Sequence, residues 1–139
     1  MKRDQLKEVY DMQVGQIAKL SKIFTQEDVS TFAKLSLDTN PVHLDEDYAK
    51  TTIFGRKIIH GFLSGSLISG VIGTLLPGNG AIYLHQDMDF KNPVYVGEII
   101  TAIVQVENVK VEKRIAYLST ICVNQDNEVK ITGNAVIKY

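Results

Sequence analysis

Residues 58–86 read IIHGFLSGSLISGVIGTLLPGNGAIYLHQ, a stretch without one charged side chain. Its first part, Ile58 to Leu76, sits at the edge of the ~20 predominantly apolar residues that a membrane-spanning helix needs. Pro77, Gly78 and Gly80 then break it, and His60 and several glycines interrupt its apolar surface. The other way to accommodate a helix that is apolar all round is to cover every face with protein. Gly61, Gly65, Ser69 and Gly73 recur at every fourth position and make a stripe of small side chains, along which another backbone can approach closely. Each helical glycine costs about 1 kcal/mol relative to alanine, so the stripe implies a compensating reason in packing or function. The expectation is a buried helix beginning near His60, with no membrane span.

Beyond the Pro-Gly break the period changes to two. Ile82, Leu84, Met88 and Phe90 alternate with Tyr83, His85, Asp87 and Asp89, and Ile100, Ala102, Val104 and Val106 alternate with Thr101, Gln105 and Glu107. Ile115, Tyr117, Ser119 and Ile121 share one parity, as do Val129, Ile131, Gly133, Ala135 and Ile137, and NPVYVGE and NQDNE supply turn signals between runs. Upstream, QIAKLSKIF reads as a first strand with Ile17 and Ile23 on one face. Thr25 with Asp28 three residues on is an N-cap signal, followed by Val29, Phe32, Ala33 and Ser36 at helical spacing. Asn40-Pro41 is expected to end that helix, because the residue before proline is pushed out of the α region. DEDYAKTT is a short helix with acids in its first turn. Strands that follow the helices without a helix between them make an antiparallel sheet and an α+β class. No repeat or linker divides the chain, so residues 1–139 are read as one domain.

Composition narrows the partners. Formal net charge is −1 over 139 residues, with 45% hydrophobic and 22% charged side chains, ordinary globular values. So balanced a charge offers no footprint for a phosphate backbone, and no nucleic acid is expected. Cys122 is alone, so no disulfide staples the fold and no metal-ligand spacing involves it. The start, MKRDQLKEVYDMQVG, carries charges where an export signal needs an apolar run, so a reduced, cytoplasmic location is expected.

The chemistry is concentrated just ahead of the apolar stretch, in SLDTNPVH, residues 36–43. A carboxylate and an imidazole joined by a fixed turn can hold one water between them: Asp38 can take a proton from it while His43 orients it or handles the second proton. Both must come within about 3 Å of the reacting atoms. Pro41 rigidifies the link, and Asn40 can add side-chain-to-backbone bonds. The same residues also read as a turn aspartate beside a satisfied histidine. His60 reads as a capping or packing residue, His85 as a surface one. The acids after His43 read as a solvated helix start, not a metal site.

FAKLSLDTNPVHLDEDYA resembles the signature of the MaoC-like and (R)-specific enoyl-CoA hydratase family: an aromatic, then Asp-x-Asn-Pro-x-His, then Ala or Ser six residues on. Phe32, Asp38, Asn40, Pro41, His43 and Ala49 fill those positions. The similarity continues through IIHGFLSGSLISG, LPGNGAIYL and DFKNPVYVGE, from about Val14 to the C-terminus. It implies a single hot-dog fold, an antiparallel curved sheet wrapped around a long central apolar helix. It implies that Asp38 and His43 are the catalytic pair, with Asn40 in support. The Gly61 N–H would receive the thioester oxygen, and Ser69 would support the pair by hydrogen bonding. The activity implied is reversible hydration of a trans-2-enoyl-CoA to an (R)-3-hydroxyacyl-CoA, by a homodimer, with no metal and no cofactor other than the acyl-CoA substrate itself. Arg56, Lys57 and Lys91 are candidates by position for the CoA phosphates, and equally for a solvated face. The family signature often has glycine where this chain has Leu37; if that backbone needs a positive φ, leucine is strained there.

Three other activities share these residues or this fold. A dehydratase acting on an acyl-carrier-protein thioester or a branched acyl-CoA would use the same pair. A hot-dog thioesterase would release free thiol, and a non-catalytic acyl-CoA-binding module would be indifferent to Asp38→Asn.

Overall fold

The computed structural model describes residues 11–139; residues 1–10, which carry most of the charged start discussed above, lie outside the described residues. Strand β1 (Ile17–Ile23) leads to helix α1 (Gln26–Ser36), two short helices, α2 (Pro41–Leu44) and α3 (Glu46–Lys50), and the long helix α4 (Gly61–Thr74). Strands β2 (Ile82–Gln86), β3 (Asp89–Phe90), β4 (Ile99–Lys110), β5 (Ile115–Val123) and β6 (Val129–Lys138) complete the chain. All pairing is antiparallel, in the order β1-β4-β5-β6-β2, with β3 also on β6. Helix α4 packs on β1, β4 and β5. This is the expected α+β, hot-dog arrangement.

The core lies between that helix and the sheet. Ile100, Ala102, Val104 and Val106 of β4 are buried, with Ala116, Leu118 and Cys122 of β5, Ile131, Ala135 and Ile137 of β6, and Ile68, Val71 and Ile72 of α4. Burying each large aliphatic side chain contributes roughly 1.5–3 kcal/mol. Burial also pushes the Cys122 thiol up to about 12, so it remains an inert core group.

Register decides which parity of each strand faces inward, because residues directly opposite one another share a face. Leu20 lies opposite Ala102 and Ala18 opposite Val104, so these two turn inward, while Ile17 and Ile23 face outward and are exposed. By the same rule Cys122, Thr120 and Leu118 oppose Ala102, Val104 and Val106 and are buried, rather than the set from Ile115 to Ile121. Ile82, Leu84 and Phe90 stay exposed, on strands that pair only with β6 among the described residues, and the expected alternation breaks: Ile82 lies opposite the exposed Lys138 but Phe90 opposite the buried Ile131, with a register shift between Tyr83 and His85.

Helix α4 departs from the all-round burial its composition suggests. Ser64, Gly65, Ile68, Val71 and Ile72 are buried, but the opposite side, Phe62, Ser66, Ser69 and Gly73, is exposed, Phe62 to 68%. Among the described residues no helix is long and apolar enough to cross a membrane. The glycine stripe acts only over its first half. A Cβ on Gly61 would lie 2.6 Å from the Phe90 ring and one on Gly65 2.7 Å from the Met88 sulfur, whereas at Gly73 it would meet nothing within 4 Å.

Helix α1 begins as its capping box dictates: Thr25 Oγ1 accepts from Asp28 N–H and the Asp28 carboxylate accepts from Thr25 N–H. Its end differs from expectation. The helix stops at Ser36, with Leu37 left-handed at φ 65 and ψ 10. Asn40 and Pro41 start α2 instead of ending α1, Asn40 as N-cap through its side-chain oxygen and Pro41 at the first position, where its missing N–H costs nothing.

One polar cluster is buried on β6. Lys130, 2% exposed, donates to Pro93 O (2.7 Å) and Glu128 Oε1 (2.5 Å) and pairs with Glu98 Oε2 at 3.2 Å. Burial alone would push the Glu98 carboxyl up. The hydrogen bonds from Asn124 and Tyr95 N–H, together with the Lys130 ammonium, outweigh that and hold it below its ordinary range. The segment so anchored reaches the start of α4, since Ile59 N–H donates to Val94 O (2.8 Å).

Candidate active site

The left-handed turn at Leu37 delivers Asp38, and hydrogen bonds fix it on three sides. Asp38 N–H donates to Ser36 Oγ (3.1 Å), Oδ1 accepts from Asn40 N–H (3.2 Å), and its carbonyl accepts from His60 Nε2 (3.0 Å). Among the described residues that leaves Oδ2 without a hydrogen bond, on a side chain that is half exposed. The carboxylate therefore faces solvent with one oxygen aimed and the other anchored.

His43 is presented by the single turn of α2, 7% exposed. Its Nδ1 lies 2.8 Å from Ile58 O; a carbonyl only accepts, so Nδ1 carries the proton and Nε2 a bare lone pair. Gln26 of α1 donates to the His43 carbonyl, tying α2 to α1. Burial lowers the imidazole pKa, opposed by the Ile58 bond, helped by the neighbouring His60 ring and opposed by Asp38. His43 is therefore neutral at pH 7. Its Nε2 stands 4.0 Å from Asp38 Oδ2. That gap is too long for a hydrogen bond and fits one water oxygen at about 2.8 Å from each.

His60 is the member that sequence reasoning undervalued. Its ring stacks on His43 with centroids 3.8 Å apart, and the edge of Phe32 meets it at 4.9 Å. It makes no side-chain cap to α4. The only signal in the sequence was its place next to Gly61. Ligand atoms of Asp38, His43 and His60 lie within 4.8 Å of one another, close enough for a cation. The stacked rings and the engagement of His60 Nε2 with a carbonyl fit a hydrogen-bonded cluster better than a ligand set.

Gly61 opens α4, where the first N–H groups have no partner within the helix and the dipole is positive. It lines a cavity of about 390 Å³ with Phe54, Ile58, Phe62, Phe90 and Pro93. Asp38 and His43 are not among the lining residues, and the 58–61 segment links the pair to the cavity: Ile58 O lies against His43, His60 against Asp38, and Ile58 and Gly61 line the cavity. Lys91 lines this cavity, whereas Arg56 and Lys57 line a separate groove with Tyr95, Arg56 stacked on the Tyr95 ring at 3.8 Å. The three cationic candidates therefore do not converge. Ser69 does not join the pair either: it is exposed, two turns along α4, and no hydrogen bond links it to Asp38 or His43. The serine in the first turn is Ser64, which is buried and donates to Gly61 O (3.0 Å).

Leu37 carries the predicted strain. A left-handed L-residue costs about 1–2 kcal/mol, and glycine removes that at a partly offsetting entropy cost. Because the side chain is 83% exposed, no packing is lost. Leu37→Gly is expected to raise the stability to urea by roughly 0.5–1 kcal/mol; a lowered unfolding midpoint contradicts the strain.

The arrangement has known relatives. Residues 7–129 match the MaoC like domain. The (R)-specific enoyl-CoA hydratase of Aeromonas caviae is 49% identical over 127 residues, 91% of this chain and 95% of that protein. The 3-hydroxybutyryl-CoA dehydratase of Methylorubrum extorquens is 41% identical over 92% of this chain and 81% of its own length. The solved structure of an (R)-hydratase from A. caviae superposes with a TM-score of 0.89, at 49% identity over 91% of this chain and 96% of that one. Fold, site and sequence agree: the chain belongs to the MaoC-like domain family.

Proposed function

We infer that this protein is an (R)-specific enoyl-CoA hydratase, adding water reversibly to a trans-2-enoyl-CoA to give the (R)-3-hydroxyacyl-CoA. The observation that carries the mechanism is the 4.0 Å gap between Asp38 Oδ2 and His43 Nε2, each with its other heteroatom already engaged. Two acceptors face one another there, so a water between them donates one hydrogen to each and turns an oxygen lone pair outward. The oxygen attacks C3, one O–H bond breaks toward the pair, and the π electrons move through C2 onto the thioester oxygen. The Gly61 N–H at the start of α4 receives that developing charge. The proton held by the pair then passes to C2 on the face from which water came, which restores the pair and gives syn addition. The thioester makes C3 electrophilic, so the reading needs no metal or redox cofactor, and activity is expected to survive exhaustive chelation. Of the cationic candidates we favour Lys91 for a CoA phosphate; the cavity it lines together with Gly61 supports that choice.

The deciding experiment follows absorbance of the conjugated crotonyl thioester alongside free thiol. Loss of the conjugated band without thiol release is the hydratase result; thiol release with the band's loss assigns a thioesterase, and neither leaves a binding module. Since protonation of His43 removes its acceptor, kcat/KM is expected to fall on the acid side, below the ordinary imidazole value near 6.5.

The working form we propose is a homodimer joined through the β2 and β3 side of the sheet. Ile82 and Leu84 of β2 and Phe90 of β3 are each exposed, and Phe62 of α4 is exposed too, in ring contact with Phe90 at 6.1 Å. A second copy would extend the sheet and cover the outer side of α4; burying those side chains is worth roughly 1.5–3 kcal/mol each. Light scattering is expected to give twice the 15.5 kDa chain mass, and Leu84→Lys, a charge on an edge strand, to shift it to monomer. A monomeric native protein overturns this assembly.

A further inference from the structure

We propose that His60 is a positioning residue that holds Asp38, His43 and the Gly61 N–H in one register. This rests on the hydratase reading and deepens it. Three separate contacts support it. The Nε2–H of His60 donates to the Asp38 carbonyl, immediately after the strained left-handed Leu37, and so holds the turn from the side opposite the Ser36 bond. Its face lies on the His43 ring at 3.8 Å and 28°, which leaves His43 one plane in which to present Nε2, and Phe32 meets the His60 ring in a T-shaped contact at 4.9 Å. Its own backbone is the N-cap of α4, one residue before the proposed oxyanion donor.

The bare nitrogen is the informative part. With Nε2 donating, Nδ1 is an acceptor, and among the described residues it has no partner, in a residue 2% exposed. Leaving a buried acceptor unpaired is unfavourable, and a phenylalanine would fill the same space between Phe32 and His43 without that penalty. An imidazole retained against that cost is there for its Nε2–H. The bond it makes sets where Asp38 Oδ2 stands relative to His43 Nε2 and Gly61, and a misplacement of about 1 Å at such a site costs on the order of 10²-fold in rate.

Three variants separate this from simple packing. His60→Phe keeps the ring and loses the donor. His60→Gln places its amide nitrogen close to the Nε2 position and keeps the donor, whereas His60→Asn moves that nitrogen to the Nδ1 position. With crotonyl-CoA, kcat of the Phe and Asn variants is expected to fall about 10²-fold with KM within about threefold, and Gln to recover to within about tenfold of native. Equal kcat in the Gln and Asn variants, near-native kcat in the Phe variant, or a loss confined to KM overturns the assignment. If the Phe variant does not fold, the Gln–Asn comparison decides alone. Native protein run in parallel tells the two readings apart: no native hydration defeats the hydratase, while native hydration with indifferent His60 variants defeats only the positioning role.

Discussion

Asp38→Asn is expected to lower kcat for crotonyl-CoA hydration by about 10³-fold, within the 10²–10⁴-fold range for loss of a positioned general base. The amide is isosteric, so Asn40 N–H still has an oxygen to donate to and the bonds through the Asp38 backbone are untouched. What changes is the group facing His43 Nε2: an amide cannot take a proton, and with its oxygen kept by Asn40 N–H it turns its NH2, a donor, toward the water. KM should move little, because nothing anchors the thioester through this oxygen. His43→Gln is the companion variant, expected to fall by a similar factor, since the amide cannot keep both the Ile58 bond and a basic lone pair. Because the two act on one water, the double variant should lose little more than either single one. Near-native turnover in either single variant, with far-ultraviolet circular dichroism unchanged, removes the pair from the mechanism.

The second large effect concerns a backbone atom. Gly61 stands at the first position of α4, where proline is tolerated, and His60 before it has φ −54 and ψ 134, a conformation that suits a residue preceding proline. Gly61→Pro therefore deletes the N–H with little insult to the helix. A Cβ there runs into Phe90, so the comparison is made in a Phe90→Ala background, Gly61→Pro against Gly61→Ala. Both place a Cβ against residue 90, and only proline lacks the donor. The proline variant is expected to be about 10²–10³-fold slower than the alanine one, the usual cost of one oxyanion-hole donor. Equal rates would mean that the thioester oxygen rests elsewhere.

The elements were legible where one local rule governed them. The capping box at Thr25, the strands after Gly80 and the start of α4 at His60 all came through, because each depends on neighbours a few residues away. The inward parity of β1 and β5 did not, since both strands offer apolar side chains on either face and only register against β4 chooses between them. The Asn40-Pro41 break was misplaced for a related reason: proline both stops one helix and starts another, and a single sequence does not say which. Asp38 and His43 were legible as a pair because a short rigid turn limits how far apart they can be. His60 was not, since its partnership with them runs through stacking and a carbonyl bond twenty-two positions away in the chain.

Lys130 does not line the Gly61 cavity, yet its ammonium holds the carbonyl of Pro93, and the next residue holds Ile59, one step before His60. Selection for heat tolerance at this end of β6, where a sealed cation invites replacement by methionine, would loosen a tether that ends at the helix start. Turnover and melting temperature would then drift apart in the surviving clones, and a screen scored on residual fold alone would enrich well-folded, sluggish catalysts.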